Sequence, residues 1–599
     1  MNFFTELRRR NVFKIAVAYA VVAWVLVQVV ISIKSPLHLP DWADTLTIVL
    51  LAVGFPIALI ITWAFELTPQ GIQTTGKTVI DPEHDPVLPA TAATPLPPAS
   101  DVADSGKSGI RKNSIAVLPF ANMSSDPEQE YFADGITEEL LNSLTQIKDL
   151  QVTGRTSSFY FKGRNEDLRS IGATLGVEYL LEGSVRKSTG RLRITAQLIN
   201  TGTGHHLWSE TYDRMMDDLF VIQEDIARSV AEALEITLGV GGRGRIPGMT
   251  HNVAAYDAFL KAGVTKGLDV IVATTPKRFR EMIQHLEQAV TLDPDFGLAW
   301  TGLFTAYGHA RTILQGGIPD GDAKAGKAFD RAIALTPDSP MLLLQIAVQN
   351  AEHGEWLEAY RYHQDALAAA ARYGLSEHIN FRAGWFLHSI GYISQAIDYY
   401  EKVRVADPLH IDNTAWLMDA YSGLGDHAAA YAEVDRFKEI DDPQVSFIQS
   451  SALLVAVATR DRAEVERRLA VFTHNEGDLL SITPKMQALL DDPGAARVEL
   501  HRLADSVKDR SPFTLNIIAV WADYFDAPEL ALDLIREFLV EQKVKRLTFL
   551  IWRSICSGTR RLPGFKDLLR DIGLVDFWRA TGQWPDLCRP LGEDDFECR

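Results

Sequence analysis

The sequence predicts a multidomain protein: a two-helix transmembrane hairpin, an α/β domain and an all-α solenoid, in that order. Two 22-residue apolar runs lie within the first seventy positions. Strand and helix patterns alternate from 113 to 240. Beyond 254, small, aromatic and proline positions recur at the spacing of paired helices. At 599 residues, 47% hydrophobic and 23% charged, the chain is long enough for several cores and ordinary in composition. A net charge of −19 sets nucleic acid aside as a partner, because phosphates are held by concentrated basic faces.

The first run, "VFKIAVAYAVVAWVLVQVVISI" (12–33), carries a single charge, Lys14. The second, "LTIVLLAVGFPIALIITWAFEL" (46–67), is uncharged until Glu66. Each fits a hydrocarbon core of ~30 Å. The first is too long for a signal peptide, and no small-residue cleavage site follows it. Pro56 beside Gly54 kinks the second, which a membrane span tolerates. Arg8, Arg9, Arg10 and Lys14 precede or open the first run, whereas the connector 34–44 sets Lys34 against Asp41 and Asp44. Basic flanks stay in the cytoplasm. The expectation is a multi-pass membrane protein that meets the lipid bilayer through 12–33 and 46–67, with N-terminus and C-terminal domains cytoplasmic.

Residues 1–70 thus form the anchor, and 71–112 follow as a disordered linker rich in Pro, Ala and Thr. Its first residues, "GIQTTGKT" (71–78), match the phosphate-cradling P-loop pattern through Gly71, Gly76, Lys77 and Thr78. A P-loop needs a buried strand before the glycine turn and a helix after it. Here a membrane run precedes the turn, and prolines 82, 86, 89, 95, 97 and 98 forbid the helix. A near-match at Gly321–Ala328 lacks the hydroxyl residue. Neither is read as a nucleotide site. The three cysteines, Cys556, Cys588 and Cys598, are read as reduced thiols, with a Cys588–Cys598 bridge as the alternative.

In the α/β domain, 113–240, "SIAVLPF" (114–120) reads as a buried strand. Ile136, Leu140, Leu141 and Leu144 mark a helix, and "LQVTG" a second strand. Leu168, Ile171 and Leu175 mark another helix. Strands follow at 177–186, 191–199 and 206–212. Leu192, Ile194, Ala196 and Leu198 alternate with Arg193, Thr195 and Gln197, so one face is buried and one wet. Gly190 suits the hairpin turn. Phe220, Ile226, Val230 and Leu234 make the apolar side of a last helix. His205, His206, Glu210 and Asp213 are the polar candidates for a metal; alternation places His206 and Glu210 on one face. They are read as surface residues, since no converging partner cluster is visible. "GVGGRG" (239–244) follows a helix and belongs to a linker, 241–253.

The blocks "SIAVLPFANMSSDPEQEYFADGITEELLNSL", "EYLLEGSVRKSTGRLRITAQLINTGTGHHLWSETYDR" and "IQEDIARSVAEAL" resemble the TolB N-terminal-like domain over about 113–238. That domain recurs in proteobacterial signalling proteins, often behind an adenylate cyclase or a winged-helix module and ahead of tetratricopeptide (TPR) repeats. The opening residues and "WAFELTPQGI" are similar to the membrane hairpin of cyclase-less members. The resemblance implies a bacterial inner-membrane protein and an α/β domain used for protein contacts, with no catalytic residues to carry over.

Met282, Leu286, Ala289 and Pro294 recur in spacing as Ala325, Phe329, Ala332 and Pro337, and as Ala396, Tyr400, Val403 and Pro408. Ala359, His363 and Ala366 keep the first two steps. Trp300, Leu303 and Tyr307, then Trp416, Tyr421 and Gly425, follow the first-helix positions of TPR units. Small residues let paired helices approach, aromatics fill the gap to the next pair, and proline ends the second helix. TPR units are therefore expected over 254–443, with further helical repeats and a cap over 444–599. Such an array leaves a concave surface for peptides or domains. Its spacing names no groove residues.

The expected function is a non-enzymatic scaffold at the cytoplasmic membrane face, binding protein partners through the solenoid and the α/β domain. The alternative is a regulatory signalling subunit related to cyclase-linked proteins, which senses or modulates without a catalytic domain of its own. A third reading hides an enzyme in 445–599. No catalytic, cofactor or metal residue is expected.

Overall fold

The computed structural model of the protein describes residues 65–68, 71–74 and 110–599. Within that last span 125, 127–128, 146, 148–149, 189, 235–247, 264–274, 315–316, 374–375, 438–444 and 472–482 are excluded. The chain divides into two units, Met1–Val102 and Ala103–Arg599.

In the first unit, β1 (Phe65–Thr68) pairs antiparallel with β2 (Gly71–Thr74), Phe65 opposite Thr74 and Thr68 opposite Gly71. The expected transmembrane hairpin, and the multi-pass inner-membrane placement built on it, are corrected here. Among the described residues no helix is long and apolar enough to cross a membrane. Residues 12–33 and 46–64 lie outside the described residues, and Phe65–Leu67, the end of the second apolar run, form strand. Apolar composition alone does not separate a span from other buried structure, and here the end of the run pairs with a neighbouring strand.

The second unit opens with β3 (Arg111–Val117), β4 (Ala121–Asn122), α1 (Glu130–Thr145), β5 (Gln151–Val152), α2 (Arg155–Tyr160) and α3 (Leu168–Leu175). Three long strands follow, β6 (Val177–Ser188), β7 (Arg191–Asn200) and β8 (His206–Met215), then α4 (Leu219–Ala233). The sheet is mixed, in the order β5-β3-β6-β7-β8, with β4 beside β6. β3 runs parallel to β5 and β6, while β6, β7 and β8 form antiparallel hairpins. Leu192, Ile194, Ala196 and Leu198 of β7 are buried against Ile136, Leu140 and Leu144 of α1 and Ile226 and Val230 of α4. On the other face Ala116, Leu118 and Leu180 lie under Phe161, Ile171 and Leu175. Asp167 starts α3 by accepting from the Arg169 N–H at 2.9 Å, and left-handed Gly176 ends it.

Paired helices occupy the rest: α5 (Val253–Ala262), α6 (Pro276–Leu292), α7 (Gly297–Ile313), α8 (Gly321–Leu335), α9 (Pro340–His353) and α10 (Trp356–Tyr373). Next come α11 (Ser376–Ser389), α12 (Ile393–Ala406), α13 (Ile411–Gly423), α14 (His427–Arg436), α15 (Val445–Thr459) and α16 (Arg462–Val471). The last are α17 (Thr483–Ala488), α18 (Pro493–Ser506), α19 (Pro512–Tyr524), α20 (Pro528–Arg536), α21 (Ser557–Arg560), α22 (Pro563–Asp571) and α23 (Leu574–Thr581). Of the spaced positions, Leu286, Ala289, Ala332, Ala359, Ala366, Ala396 and Tyr400 are fully buried, whereas Met282, Ala325 and Phe329 are half-buried and Pro294 and Pro337 exposed. The chain ends in a hairpin of β9 (Cys588–Leu591) and β10 (Asp595–Cys598).

Two contacts join the sheet to the helices. Tyr256 and Leu260 of α5 enter the core beneath α1, and Asp257 accepts from the Tyr131 hydroxyl at 2.7 Å and from Lys187 at 3.0 Å. The second contact is made by the turn after α12. α2 has no side-chain cap of its own, because Gly154 stands at its start. Asp407 supplies the cap from 250 positions away, its carboxylate accepting from the Ser157 N–H at 2.7 Å and the Thr156 N–H at 3.3 Å. A Cβ on Gly154 would lie 2.4 Å from Asp407, so the close approach requires glycine. Gly154 N–H also donates to Ala406 O at 2.8 Å, and Leu409 N–H to the Ser157 hydroxyl at 2.7 Å.

Loss of this remote cap in Asp407→Ala is expected to cost about 1–2 kcal/mol, as for other N-caps. Hydrogen exchange is the readout: the Thr156 and Ser157 amides lose protection while β6 and β7 amides keep theirs. Unchanged exchange at 156 and 157 would show that the carboxylate does not hold the junction.

Candidate functional site

The sequence reading expected a concave partner surface without naming its residues; in the structure the chain itself lies along the first helices of several pairs. After α20 the backbone passes through a π-type turn, Glu537–Glu541, into two 3-10 stretches, Lys545–Trp552 and Ser554–Cys556. These touch the first helix of successive pairs, the former α9 and α11, the latter α13, α15 and α19. Leu547, Phe549, Leu550, Ile551, Trp552 and Ile555 are all buried there. The Phe549 ring meets Trp416 edge-on at 4.5 Å and lies 6.1 Å from both Trp385 and His388.

The returning chain also completes α11. The last carbonyls of a helix lack intrahelical donors. Ser389 O accepts from the Thr548 hydroxyl at 2.7 Å and the Trp552 indole at 3.2 Å. Ile390 O accepts from the Trp578 indole at 3.0 Å, and Gly391 O from the Asp586 N–H at 3.1 Å. Gly391 sits at φ +85°, and a Cβ there would come within 2.6 Å of Pro585 and 3.1 Å of the Trp552 ring. Trp356 in turn donates to Ile572 O at 2.7 Å.

Charge is buried in the same place. Arg553 donates twice to one Asp419 oxygen, at 2.8 and 2.6 Å, between the returning chain and α13. Burial pushes the Asp419 carboxyl up from its ordinary range, opposed by the Arg553 guanidinium. His388 is fully buried and neither ring nitrogen has a hydrogen-bond partner in the structure. Burial, reinforced by Arg553, holds its imidazole down to about 3. His363 stacks on Phe386 at 4.7 Å, and burial lowers it to about 4. Cys556 is a buried thiol pushed up to about 12 by desolvation, so it is inert as a nucleophile.

Other candidates are dispersed. Gly71–Thr74 is strand, which removes the glycine turn from the P-loop match; Lys77, Thr78 and the linker of 239–244 lie outside the described residues. Gly321–Ala328 opens α8 with a helix, not a strand, before it, and Lys324 reaches Glu287 at 3.5 Å. The polar set on β8 does not converge. A bulge shifts the register between Leu198 and Ile199, so His206 opposes Ile199 while Glu210 opposes Ala196. Opposed residues share a face, so His206 and Glu210 point to opposite sides, against the expected alternation. His205 lies in the turn before β8. Asp213 is clamped by Arg191 at 2.7 Å and Arg193 at 3.0 Å, which hold its carboxyl below the usual range. Among the described residues no group of His, Cys, Asp or Glu is placed to hold a metal ion.

The reading of three reduced thiols is also corrected. Cys588 and Cys598 stand opposite each other in the β9–β10 register, 4.1 Å apart at Cα, and are bridged. Their separation of 10 gave no sign of a hairpin in the sequence. Residues that the spacing did not reveal, Asp407, Arg553 and Trp552, act over separations of 134 to 250 positions.

No family model matches the chain. Over 198 residues it is 40% identical to a protein of Rhizobium meliloti (strain 1021) named "Putative adenylate cyclase 3". That stretch is 32% of this chain and 32% of the relative, so the match spans about a third of the length of each. Among solved structures, a dodecamer of a PelC point variant from Paraburkholderia phytofirmans is 19% identical, with 23% of this chain and 96% of that chain covered. Its TM-score of 0.16 carries no argument.

Removing one partner of the buried pair, in Arg553→Ala, leaves Asp419 charged and unpaired and is expected to cost about 3–5 kcal/mol in denaturant unfolding. Arg553→Met with Asp419→Leu is expected to recover most of that loss; equal loss in single and double variants would rule out the pair as the cause.

Acid sensitivity follows from the two histidines. Unfolded imidazoles titrate near the ordinary 6.5, the native ones near 3 and 4. The unfolded chain therefore binds more protons in between, and their contribution is complete above pH about 6.5 and declines as pH falls toward 4 and 3. The denaturation midpoint is expected to drop with acidification over that window, with a shallower slope in His388→Phe. An identical slope would assign the acid loss to other groups.

Proposed function

We propose that the protein is a non-enzymatic regulatory member of a cyclase-linked signalling group, acting by contact with other proteins. The observation that carries this is the 40% identity over 198 residues to a protein named as an adenylate cyclase. The sequence blocks of 113–238 support a TolB N-terminal-like reading of the α/β part, and the buried small-and-aromatic spacing of α6–α14 is compatible with TPR units. Chain-filled first helices argue against a peptide partner seated along α9–α19 and favour contacts through outer surfaces. Protein, not nucleic acid, is the partner class that a net charge of −19 favours.

Two measurements test this. The purified full chain with ATP and divalent metal is expected to form no cyclic AMP above a protein-free blank, and turnover would overturn the non-enzymatic reading. Deleting the gene in its native host is expected to change the cyclic-nucleotide level, with restoration by the intact gene; an unaltered level would sink the regulatory reading.

A further inference from the structure

We propose that β8 is a dimerisation edge, pairing antiparallel with β8 of a second copy about a two-fold axis through Thr211. Main-chain hydrogen bonds say which groups are available. Met216 N–H donates to Gly190 O at 3.1 Å, and Asn200 N–H to His205 O at 3.0 Å, one at each end of the β7–β8 ladder. Residues of an antiparallel pair alternate between bonding inward and outward. Between those ends Trp208, Glu210, Tyr212 and Arg214 therefore bond to β7, while Ser209, Thr211, Asp213 and Met215 direct N–H and C=O outward. Among the described residues no strand pairs with this edge. β5, at the other end of the sheet, is two residues long, whereas β8 is ten. A long free edge is a template for strand addition unless charge or a bulge blocks it.

The charges on β8 are engaged within their own copy. Glu210 accepts from the Tyr212 hydroxyl at 3.1 Å, Asp213 is held by two arginines, and Arg214 lies 3.9 Å from Asp225 of α4. The bulge, opposite Ile199, leaves 209–215 regular.

The edge is complementary to itself, which selects a second copy as the occupant. A two-fold axis at Thr211 sets Ser209 against Asp213, Glu210 against Tyr212 and Trp208 against Arg214, with Met215 lying toward the bulge residue Leu207 of the other copy. Leu207, the bulge residue, and Met215 are the exposed large hydrophobics of this strand, 48% and 53% accessible, and they flank the regular stretch at its two ends. Moving the axis to Glu210 or to Asp213 opposes two carboxylates. At Thr211 no like charges meet, and the central threonines exchange the outward N–H and C=O bonds.

Light scattering of the full chain over a concentration series is expected to give twice the chain mass. Thr211→Pro removes the outward N–H, together with the hydroxyl contact to Thr195 at 3.1 Å, and spares the inward ladder, which runs through even-numbered residues; it is expected to return one chain mass. The Leu207→Lys, Met215→Lys double variant changes exposed side chains alone and is expected to do the same, so the test survives a poorly folding proline variant. Thr211→Cys is expected to form a covalent dimer on mild oxidation, because facing residues in such a pair stand about 5.5 Å apart at Cα. A wild-type chain at one chain mass throughout, or a double-lysine variant still at twice that mass, would overturn the proposal.

Discussion

The return of residues 545–556 along the first helices is the constraint on which the helical half depends. A helix pair buries its faces only against its neighbours, so a curved array keeps one side wet unless something fills it. Here the filler is covalently attached. Leu547, Phe549, Ile551 and Trp552 convert that side into core, and hydroxyl, indole and amide groups from 548–586 satisfy the carbonyls at the end of α11. Burying the Arg553–Asp419 pair is costly in desolvation, and what it confers is specificity: only one register of the segment brings guanidinium to carboxylate. The segment is thus structure, and its displacement by an outside peptide would expose a string of large apolar side chains at once.

A second long-range device joins sheet and helices. α2 is a six-residue helix beginning at glycine, too short to be stable alone and without a cap. Asp407 terminates one helix and starts another, so the end of α12 and the beginning of α2 are ordered together. With α5 in the core under α1, the α/β part is held at two distant places in the chain, Tyr256 and Asp407, which makes Ala103–Arg599 one unit.

Much of the local structure was legible because its cause is local. Alternation in β7, the apolar positions of α1 and Ile171 and Leu175 of α3 are buried as their periods require, and the repeated Ala, Tyr and Val positions of α12 are core. The metal candidates were less legible. Spacing of four between His206 and Glu210 implies one face only while the register holds, and one extra residue in a bulge reverses it. The apolar runs near the N-terminus invited a membrane reading that the described residues do not support. Cys588 and Cys598 were misread because a hairpin of two four-residue strands leaves no periodic trace.

By itself the sequence determined the succession of a mixed α/β segment and paired helices, and which side chains of each helix turn inward. Those outcomes depend on periods of two and about 3.6 residues, which any short window contains. Tertiary structure alone decided that residues 545–556 pack along the first helices of several pairs, that α2 borrows its cap from Asp407, and that β8 presents a free edge. These depend on which distant segments meet, and closing a long loop costs little more than closing a short one, so chain separation leaves no mark in the local pattern.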